Sequence, residues 1–413
     1  MLKASALFIV TVMALVIGIA STSLITMAYF YRLEFQKGIR HSALLNNLES
    51  GTAVLLSKDF NKFDANVAIE LPGNNAVTIM VRKERWGIYD LAFVQSYIQK
   101  DTITRAFLIG KNFDDYTALY LRDEDRPLSI SGSTQIVGDA FLPGAGIRQS
   151  YAEGKSYSGG KILVRGIIKS SDITLPPLDA ERISDIQQRL GNEKGVEWSV
   201  KDSLWNSFLN PVQVIRIPSN KASISKCSIT GKFILICDTT VSISRTAIIE
   251  NAIIFAPSII IEDGFKGSCQ FFASKSITTG KNVVLSYPSC MGIVNSSQSE
   301  SQPEIILGGG SVFSGVLFTH KKDKSELETQ ITLGKNCIVS GEVYASGFLK
   351  MESPVMINGK ASCNRFLVQT PTALYENQLI DVVLNRKKLS QYYLTSSLSS
   401  NKVADNKILK WLN

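Results

Sequence analysis

The feature that most constrains this chain is a long uncharged stretch near its N-terminus, from Ala4 to Tyr31. As a helix, such a stretch exceeds the ~30 Å hydrocarbon core of a bilayer, because each residue rises ~1.5 Å. Tyr29, Phe30 and Tyr31 lie together at its end, as interfacial aromatic side chains do. We therefore predict a transmembrane helix, with the lipid bilayer as the partner of residues 4–31.

The helical pattern continues beyond the uncharged stretch. Apolar residues recur there at near-helical spacing: Leu33, Ile39, Leu44, Leu45, Leu48, Val54 and Leu55. A secretory signal peptide is the competing interpretation, but its apolar region would be only ~7–15 residues long. We predict one transmembrane and continuing amphipathic helix over residues 1–57, with its first half in lipid and its second half against a folded domain.

Two indications of membrane orientation conflict. Lys3 precedes the apolar stretch, whereas Arg32, Lys37 and Arg40 follow it. By the positive-inside rule, this distribution favours a cytoplasmic C-terminus. The domain architecture favours the opposite orientation, and we expect a single-pass protein of the bacterial inner membrane whose C-terminal domains are periplasmic or extracellular. Both orientations stay open.

The composition indicates folded domains beyond the helix. Of 413 residues, 45% are hydrophobic and 19% charged, which disfavours both a disordered chain and a polytopic membrane protein. Residues 58–127 contain three β-rich apolar runs, the first opened by a turn at Pro72–Asn75, and are predicted to form a small antiparallel β domain. Residues 366–413 are expected to form a C-terminal cap or tail, ending in a short helix around residues 407–412.

An internal repeat predicts the architecture between these regions. Residues 277–285 match residues 331–339, so that Gly280 corresponds to Gly334, and an intermediate copy places Gly308 at a nearly even spacing between them. Regular self-similarity in a β-rich, glycine-punctuated sequence is typical of a parallel β-solenoid, which we predict over residues 128–365. A charged excursion at 170–210 interrupts it and contains a predicted helix at 179–190. A β-sandwich is the alternative.

Few residues suggest chemistry. The six cysteines all lie between Cys227 and Cys363 without a C-x-x-C pair, so disulfides and buried thiols both stay open. Gly154-Lys155-Ser156 lacks the earlier glycine of a phosphate-binding loop, and Asp263 is interpreted as a turn residue. The two histidines are isolated, His41 on the juxtamembrane helix and His320 in an expected loop. We predict no catalytic, cofactor-binding or metal-binding residue.

The N-terminal quarter resembles type IV pilin-like proteins, particularly minor pilins and pseudopilins. The residues that carry the resemblance are Lys3-Ala-Ser-Ala-Leu-Phe-Ile-Val and Ser42-Ala-Leu-Leu-Asn-Asn-Leu-Glu-Ser-Gly. Ala4 stands where that family has glycine before its cleavage site and Ile9 where it has glutamate, so cleavage at Ala4–Ser5 stays open. Residues 128–365 are similar to the short solenoids of bactofilins.

Together these observations predict a mainly β protein: an N-terminal transmembrane α-helix, a small α+β pilin-like domain and a parallel β-solenoid with a helical excursion. The expected function is a non-catalytic, membrane-anchored structural or assembly subunit of a bacterial pilus-like or secretion-related envelope apparatus. Its partners would be other pilin-like or envelope assembly proteins, with no nucleic acid, metal or small-molecule cofactor. The alternatives are an anchored module that binds a polysaccharide or surface partner through the solenoid, and an anchored carbohydrate-active enzyme, which a groove lined by two acids would favour.

Overall fold

A computed structural model describes residues 2–69, 78–113, 115–192, 195–198, 203–295, 301–321, 327–370, 373–399 and 404–412. The fold is mainly β, with one long apolar helix at the N-terminus and a large, mostly parallel sheet. The turn predicted at residues 72–75 lies outside the described residues. The chain divides into two compact units, the first comprising residues 1–83 and 92–106 and the second residues 84–91 and 107–413.

The first unit contains helix α1 (Leu2–Leu56), which ends one residue from the predicted boundary. It also contains β1 (Val67–Ile69) and parts of three strands that continue into the second unit: β2 (Thr78–Trp86), β3 (Tyr89–Ile98) and β4 (Asp101–Asn112). The four strands are neighbours in the order β1-β2-β3-β4, and β1 runs antiparallel to β2 with Val67 opposite Val81.

The second half of α1 packs on this sheet. Leu44 and Leu48 are buried, as the apolar spacing predicts. Gly51 marks the closest approach, since a Cβ atom there would lie 2.7 Å from Val94 Cγ1 and 2.8 Å from Ile79 Cγ2. The missing side chain therefore lets the helix lie directly against β2 and β3.

The second unit contains the α-helix α2 (Ala180–Asn192), within the predicted excursion, and short 3-10 helices at Ser219–Lys221 and Arg386–Lys388. Its strands follow in chain order: β5 (Thr117–Leu121), β6 (Leu128–Ser131), β7 (Gln135–Val137), β8 (Asp139–Leu142), β9 (Ile147–Gln149), β10 (Tyr151–Ala152), β11 (Lys155–Ser156), β12 (Val164–Arg165), β13 (Ile168–Ser170), β14 (Val196–Glu197), β15 (Ser203–Asn206), β16 (Gln213–Ile217), β17 (Ser223–Ile224), β18 (Ser228–Gly231), β19 (Phe233–Cys237), β20 (Thr240–Ile243), β21 (Ile248–Ile261), β22 (Lys266–Thr279), β23 (Val284–Asn295), β24 (Glu304–Leu307), β25 (Val312–Lys321), β26 (Gln330–Leu333), β27 (Ile338–Met351), β28 (Val355–Gln369), β29 (Leu374–Glu376), β30 (Gln378–Ile380), β31 (Val382–Asn385), β32 (Leu394–Thr395) and β33 (Asn406–Leu412).

Parallel pairing dominates the second unit, and its register reproduces the spacing of the sequence repeat. Val284 on β23 pairs with Val312 on β25, which is the shift that separates Gly280 from Gly308. Val312 pairs in turn with Ile338 on β27, and Ile338 pairs with Met356 on β28. The repeated residues therefore stack on one another, and their inward-facing apolar neighbours form one continuous core.

Gly315, Gly341 and Gly359 lie opposite one another on successive strands, and their spacing explains why glycine recurs in the repeat. Gly341 has φ +138°, and a Cβ atom there would lie 2.0 Å from the Gly315 carbonyl oxygen. Gly359 repeats the arrangement one strand further, with φ +151° and 1.8 Å to the Gly341 oxygen. Only glycine fits this close approach of successive backbones.

Several segments differ from the sequence prediction. β15, in the predicted excursion at 170–210, pairs in parallel with β18, and β31, in the predicted cap at 366–413, pairs in parallel with β28. β5 falls in the region predicted to be antiparallel, but it pairs in parallel with β28, with Leu119 opposite Ala361. The helix predicted at residues 407–412 is wrong, since these residues lie in strand β33, where the Trp411 ring meets the Phe107 ring edge-on at 5.2 Å. An isolated helix of this length would be marginal, whereas pairing with β4 satisfies its backbone.

Of the two alternatives for the cysteines, disulfides and buried thiols, the structure supports buried thiols. All six are buried thiols, and the core of the second unit contains five of them. Burial raises the pKa of the Cys269 and Cys363 thiols well above their usual range. These side chains therefore serve as small apolar residues.

Candidate functional site

The largest exposed apolar surface described is the N-terminal part of α1. Residues 5–39 are exposed along their whole length, and the most apolar window of the helix has no buried residue. By length and composition this helix can cross a membrane, and a signal sequence would meet the same criterion.

The hydroxyl groups in the exposed part of α1 are bonded within the helix. The Thr11 and Thr26 hydroxyls donate to the carbonyl oxygens of Leu7 and Thr22 at 2.9 and 2.7 Å. These hydrogen bonds satisfy the hydroxyls within the helix, as hydrocarbon surroundings require.

An apolar strip continues past the uncharged stretch. Tyr31, Phe35 and Ile39 follow one another at one-turn intervals and are 75%, 61% and 56% exposed. The exposed part of the helix ends at Arg40, whose Nε donates to Asp101 Oδ2 at 2.7 Å. Residues 32–39 therefore form a projecting stalk of about 12 Å, which carries both charged and large apolar side chains.

In the second unit, residues 390–399, here called the C-terminal segment, are fastened to the parallel sheet by a buried polar junction. The junction comprises Tyr287, Glu342, Tyr393 and Thr395. Tyr393 OH and Thr395 Oγ1 both donate to Glu342 Oε1, the first at 3.2 Å. Tyr287 OH donates to the Leu394 carbonyl oxygen at 2.8 Å, and its ring lies 5.3 Å from that of Tyr393.

Burial dominates the electrostatics of the junction. It raises the pKa of Glu342, although hydrogen bonds from Thr395 and Tyr393 and the charge of Lys360 oppose the shift. Burial likewise raises the pKa of Tyr287 and of Tyr393. A carboxyl group with a raised pKa can act as a general acid where a substrate reaches it.

The space beside Glu342 is too small for that role. The adjoining cavity has a volume of about 50 Å³ and is lined by Lys360, Ser362, Ser396 and Pro176 among others. Pockets that hold small molecules usually measure ~300–1,000 Å³, whereas a single water needs only ~10–15 Å³. The geometry of the junction is instead that of a structural contact, in which the hydrogen bonds to Glu342 hold the C-terminal segment in one arrangement.

A second buried ion pair fixes α2. Arg182, on α2, pairs with Asp90, and both side chains are nearly inaccessible to solvent. Arg182 Nη1 also donates to the Tyr89 carbonyl oxygen at 3.0 Å. Gln270 also holds the same turn, accepting from Ile88 N at 2.9 Å and donating to the Trp86 carbonyl oxygen at 3.0 Å. The turn between β2 and β3 is thus anchored within the second unit.

An open depression of about 470 Å³ is lined by Arg245, Glu262 and Asp263. Asp263 Oδ1 accepts from Lys281 N at 2.8 Å, and Glu262 Oε2 accepts from Arg245 N at 3.2 Å. Both carboxylates bind backbone amides of neighbouring turns, which confirms Asp263 as a turn residue. Two acids do line a groove here, and each of them accepts a hydrogen bond from the backbone of an adjacent turn.

The remaining residues singled out from the sequence lie apart. His41 is exposed on α1, and His320 lies on β25 rather than in a loop, where burial lowers its pKa. Among the described residues no group of three or more His, Cys, Asp or Glu side chains could hold a metal ion. Comparison with protein-family models and with curated proteins finds no match. Sequence reasoning missed Glu342, whose only signal is a lone acid within the apolar alternation of β27.

Proposed function

We propose that this chain is a non-catalytic, membrane-anchored structural or assembly subunit of a bacterial pilus-like or secretion-related envelope apparatus. The observation that carries the proposal is the division of α1 into an exposed half and a packed half. Residues 5–39 are exposed, whereas Leu44, Leu48 and Leu55 are buried against the first unit. A helix that only stabilised a folded domain would bury its apolar face along its length.

The stalk supports assembly rather than simple anchoring. Phe35 and Ile39 lie beyond Arg32, the first charged residue after the uncharged stretch. Large apolar side chains at regular helical spacing are costly to leave in water, at roughly 25 cal/mol per Å². Another helix packed along Tyr31, Phe35 and Ile39 would cover them, in the manner of helix-in-groove or coiled packing.

We further propose that the parallel sheet of residues 128–365 is a bactofilin-like β-solenoid that acts as a rigid structural domain. The column of paired residues from Val284 through Val312 and Ile338 to Met356 supports this proposal. The column of glycines that ends at Gly359 supports it too, because glycine lets successive backbones approach closely. The proposed location is the bacterial inner membrane, with both units on the periplasmic or extracellular side.

Cysteine labelling in intact cells tests anchoring and orientation. All six native cysteines are buried, so the wild-type chain should give little background. Introduced cysteines at Phe35→Cys and Tyr392→Cys, both exposed positions, should react with a membrane-impermeant maleimide before lysis. Labelling that requires lysis at both positions would reject the proposed orientation, and recovery of the chain in the soluble fraction would reject anchoring.

Site-specific photocrosslinking tests assembly. A photoreactive residue at Ile39, on the strip, should crosslink in cells to another helix-bearing envelope subunit or to a second copy. The same group at Glu49, on the exposed side of the packed half of α1, is the matched control and should give no such product. Crosslinks from the second unit to polysaccharide, with none from Ile39, would instead favour an anchored binding module.

A further inference from the structure

Within the described ranges, one margin of the parallel sheet ends in an unpaired backbone. Residues 162–173, here called the edge segment, contain β12 and β13 and pair with β7 and β8. Gly138 N and Ala140 N donate to the carbonyl oxygens of Arg165 and Ile167 at 3.1 and 3.0 Å, and Ser171 N donates to the Leu142 carbonyl oxygen at 2.8 Å. Successive residues of a strand direct their polar groups to opposite sides, so Gly166, Ile168 and Ser170 point theirs away from the sheet.

The apolar core is also incomplete at this margin. Ala140 is fully buried, and the residue paired with it, Ile168, occupies the same inward row. Ile168 is nevertheless 52% exposed, since no further strand covers it within the described part of the chain. Ile162, Ile167 and Ile173 are exposed on the same segment. The row therefore ends on side chains that one more strand would bury.

Basic side chains outnumber acids beside these isoleucines. Lys161, Arg165 and Lys169 are exposed at the edge segment, whereas the acids there are Asp172 and Asp139, and the Asp139 carboxylate lies 3.5 Å from the Lys169 amino group. Arg165 alternates with the inward residue Val164, and Lys169 with Ile168. An added strand with acids opposite Arg165 and Lys169 and apolar residues over Val164 and Ile168 would match both rows.

We infer that the edge segment is a docking strand for an extended segment of a partner protein in which apolar and acidic residues alternate. The free backbone groups of Gly166, Ile168 and Ser170 provide the main-chain hydrogen bonds, and the exposed isoleucines and basic residues provide selectivity. The inference is independent of the proposed function, because it needs neither the anchor nor any membrane orientation.

Binding of short labelled peptides to the full chain in neutral phosphatidylcholine nanodiscs tests the inference. A peptide that alternates valine and glutamate should bind saturably by fluorescence anisotropy, and its counterpart with lysine in place of glutamate should not. The Lys161→Glu/Arg165→Glu variant should reverse this preference. Ile168→Ser should weaken binding about tenfold or more, as the loss of one buried apolar side chain implies.

Ile260→Ser is the matched control, since Ile260 is 46% exposed on β21 but its strand is paired on both sides. It should leave peptide binding unchanged. Equal binding of both peptides, retention of the original preference in the charge-reversed variant, or equal effects of Ile168→Ser and Ile260→Ser would overturn the inference. Crosslinking between two copies through residue 168 without peptide would also overturn it, because the occupant would then be a second copy.

Discussion

Replacement of Gly341 by alanine tests the stacking of the parallel strands directly. Gly341 has φ +138°, which is accessible to glycine and costly for alanine, and its Cβ atom would lie 2.0 Å from the Gly315 carbonyl oxygen. The backbone strain amounts to about 1–3 kcal/mol. Relief of the clash by separation of two paired strands adds about 1–3 kcal/mol. We therefore expect Gly341→Ala to lower the free energy of unfolding by about 2–6 kcal/mol.

Gly264→Ala separates conformational strain from the clash. Gly264 also has positive φ, +73°, but a Cβ atom there meets nothing within 4 Å. Strain alone should cost about 1–2 kcal/mol. Urea unfolding of the full chain in detergent, followed by circular dichroism, measures both variants. Equal losses of stability for Gly341→Ala and Gly264→Ala would refute the strand register on which the calculation rests.

Four further outcomes are expected. Gly51→Leu should lower the thermal midpoint of the first unit by the equivalent of about 1–3 kcal/mol through overpacking, whereas Gly38→Leu, at an open helix position, should not. Arg182→Met should cost about 3–5 kcal/mol in urea unfolding, because it removes the guanidinium that pairs with the buried Asp90 carboxylate; full stability of that variant would contradict a buried pair. Burial raises the native pKa of Glu342, so its stabilising contribution is complete below the ordinary value of 4.5 and is lost as the pH rises through the raised value. Glu342→Gln should therefore gain stability over the wild type as the pH rises from about 4 to 8. If the difference in stability between the two proteins did not change with pH, the raised pKa of Glu342 would be excluded as its cause. The six cysteines should react with a soluble thiol reagent only at the rate of unfolding, and fast modification of the native chain would contradict their burial.

Local and periodic features were predictable from the sequence. The extent of α1 follows from its uncharged run and the apolar spacing after it, and α2 begins after Asp179, whose carboxylate accepts from Arg182 N at 2.8 Å as a helix N-cap. The spacing between copies of the repeat reappears as the strand register, because stacked strands place like residues over one another.

Contacts between distant parts of the chain were not predictable. β5 joins β28 although most strands of the second unit lie between them in the sequence, and no local pattern distinguishes β5 from a strand of the antiparallel region. β33 forms because β4 provides a pairing edge, which overrides the weak helical preference of a short lysine-rich end. The buried polar junction escaped notice for the same reason, since Glu342 and Thr395 lie far apart in the sequence.

The proposed division of α1 into a lipid-embedded half and a packed half is most directly tested by spin labels on introduced cysteines, with the full chain in liposomes. Labels at Met13 and Leu24 should show high collision rates with oxygen and low rates with a water-soluble nickel chelate, and a label at Phe35 should show the reverse. Leu48, which is buried against the sheet, should be shielded from both. Access of the nickel chelate to Met13 and Leu24 would contradict membrane anchoring by this helix.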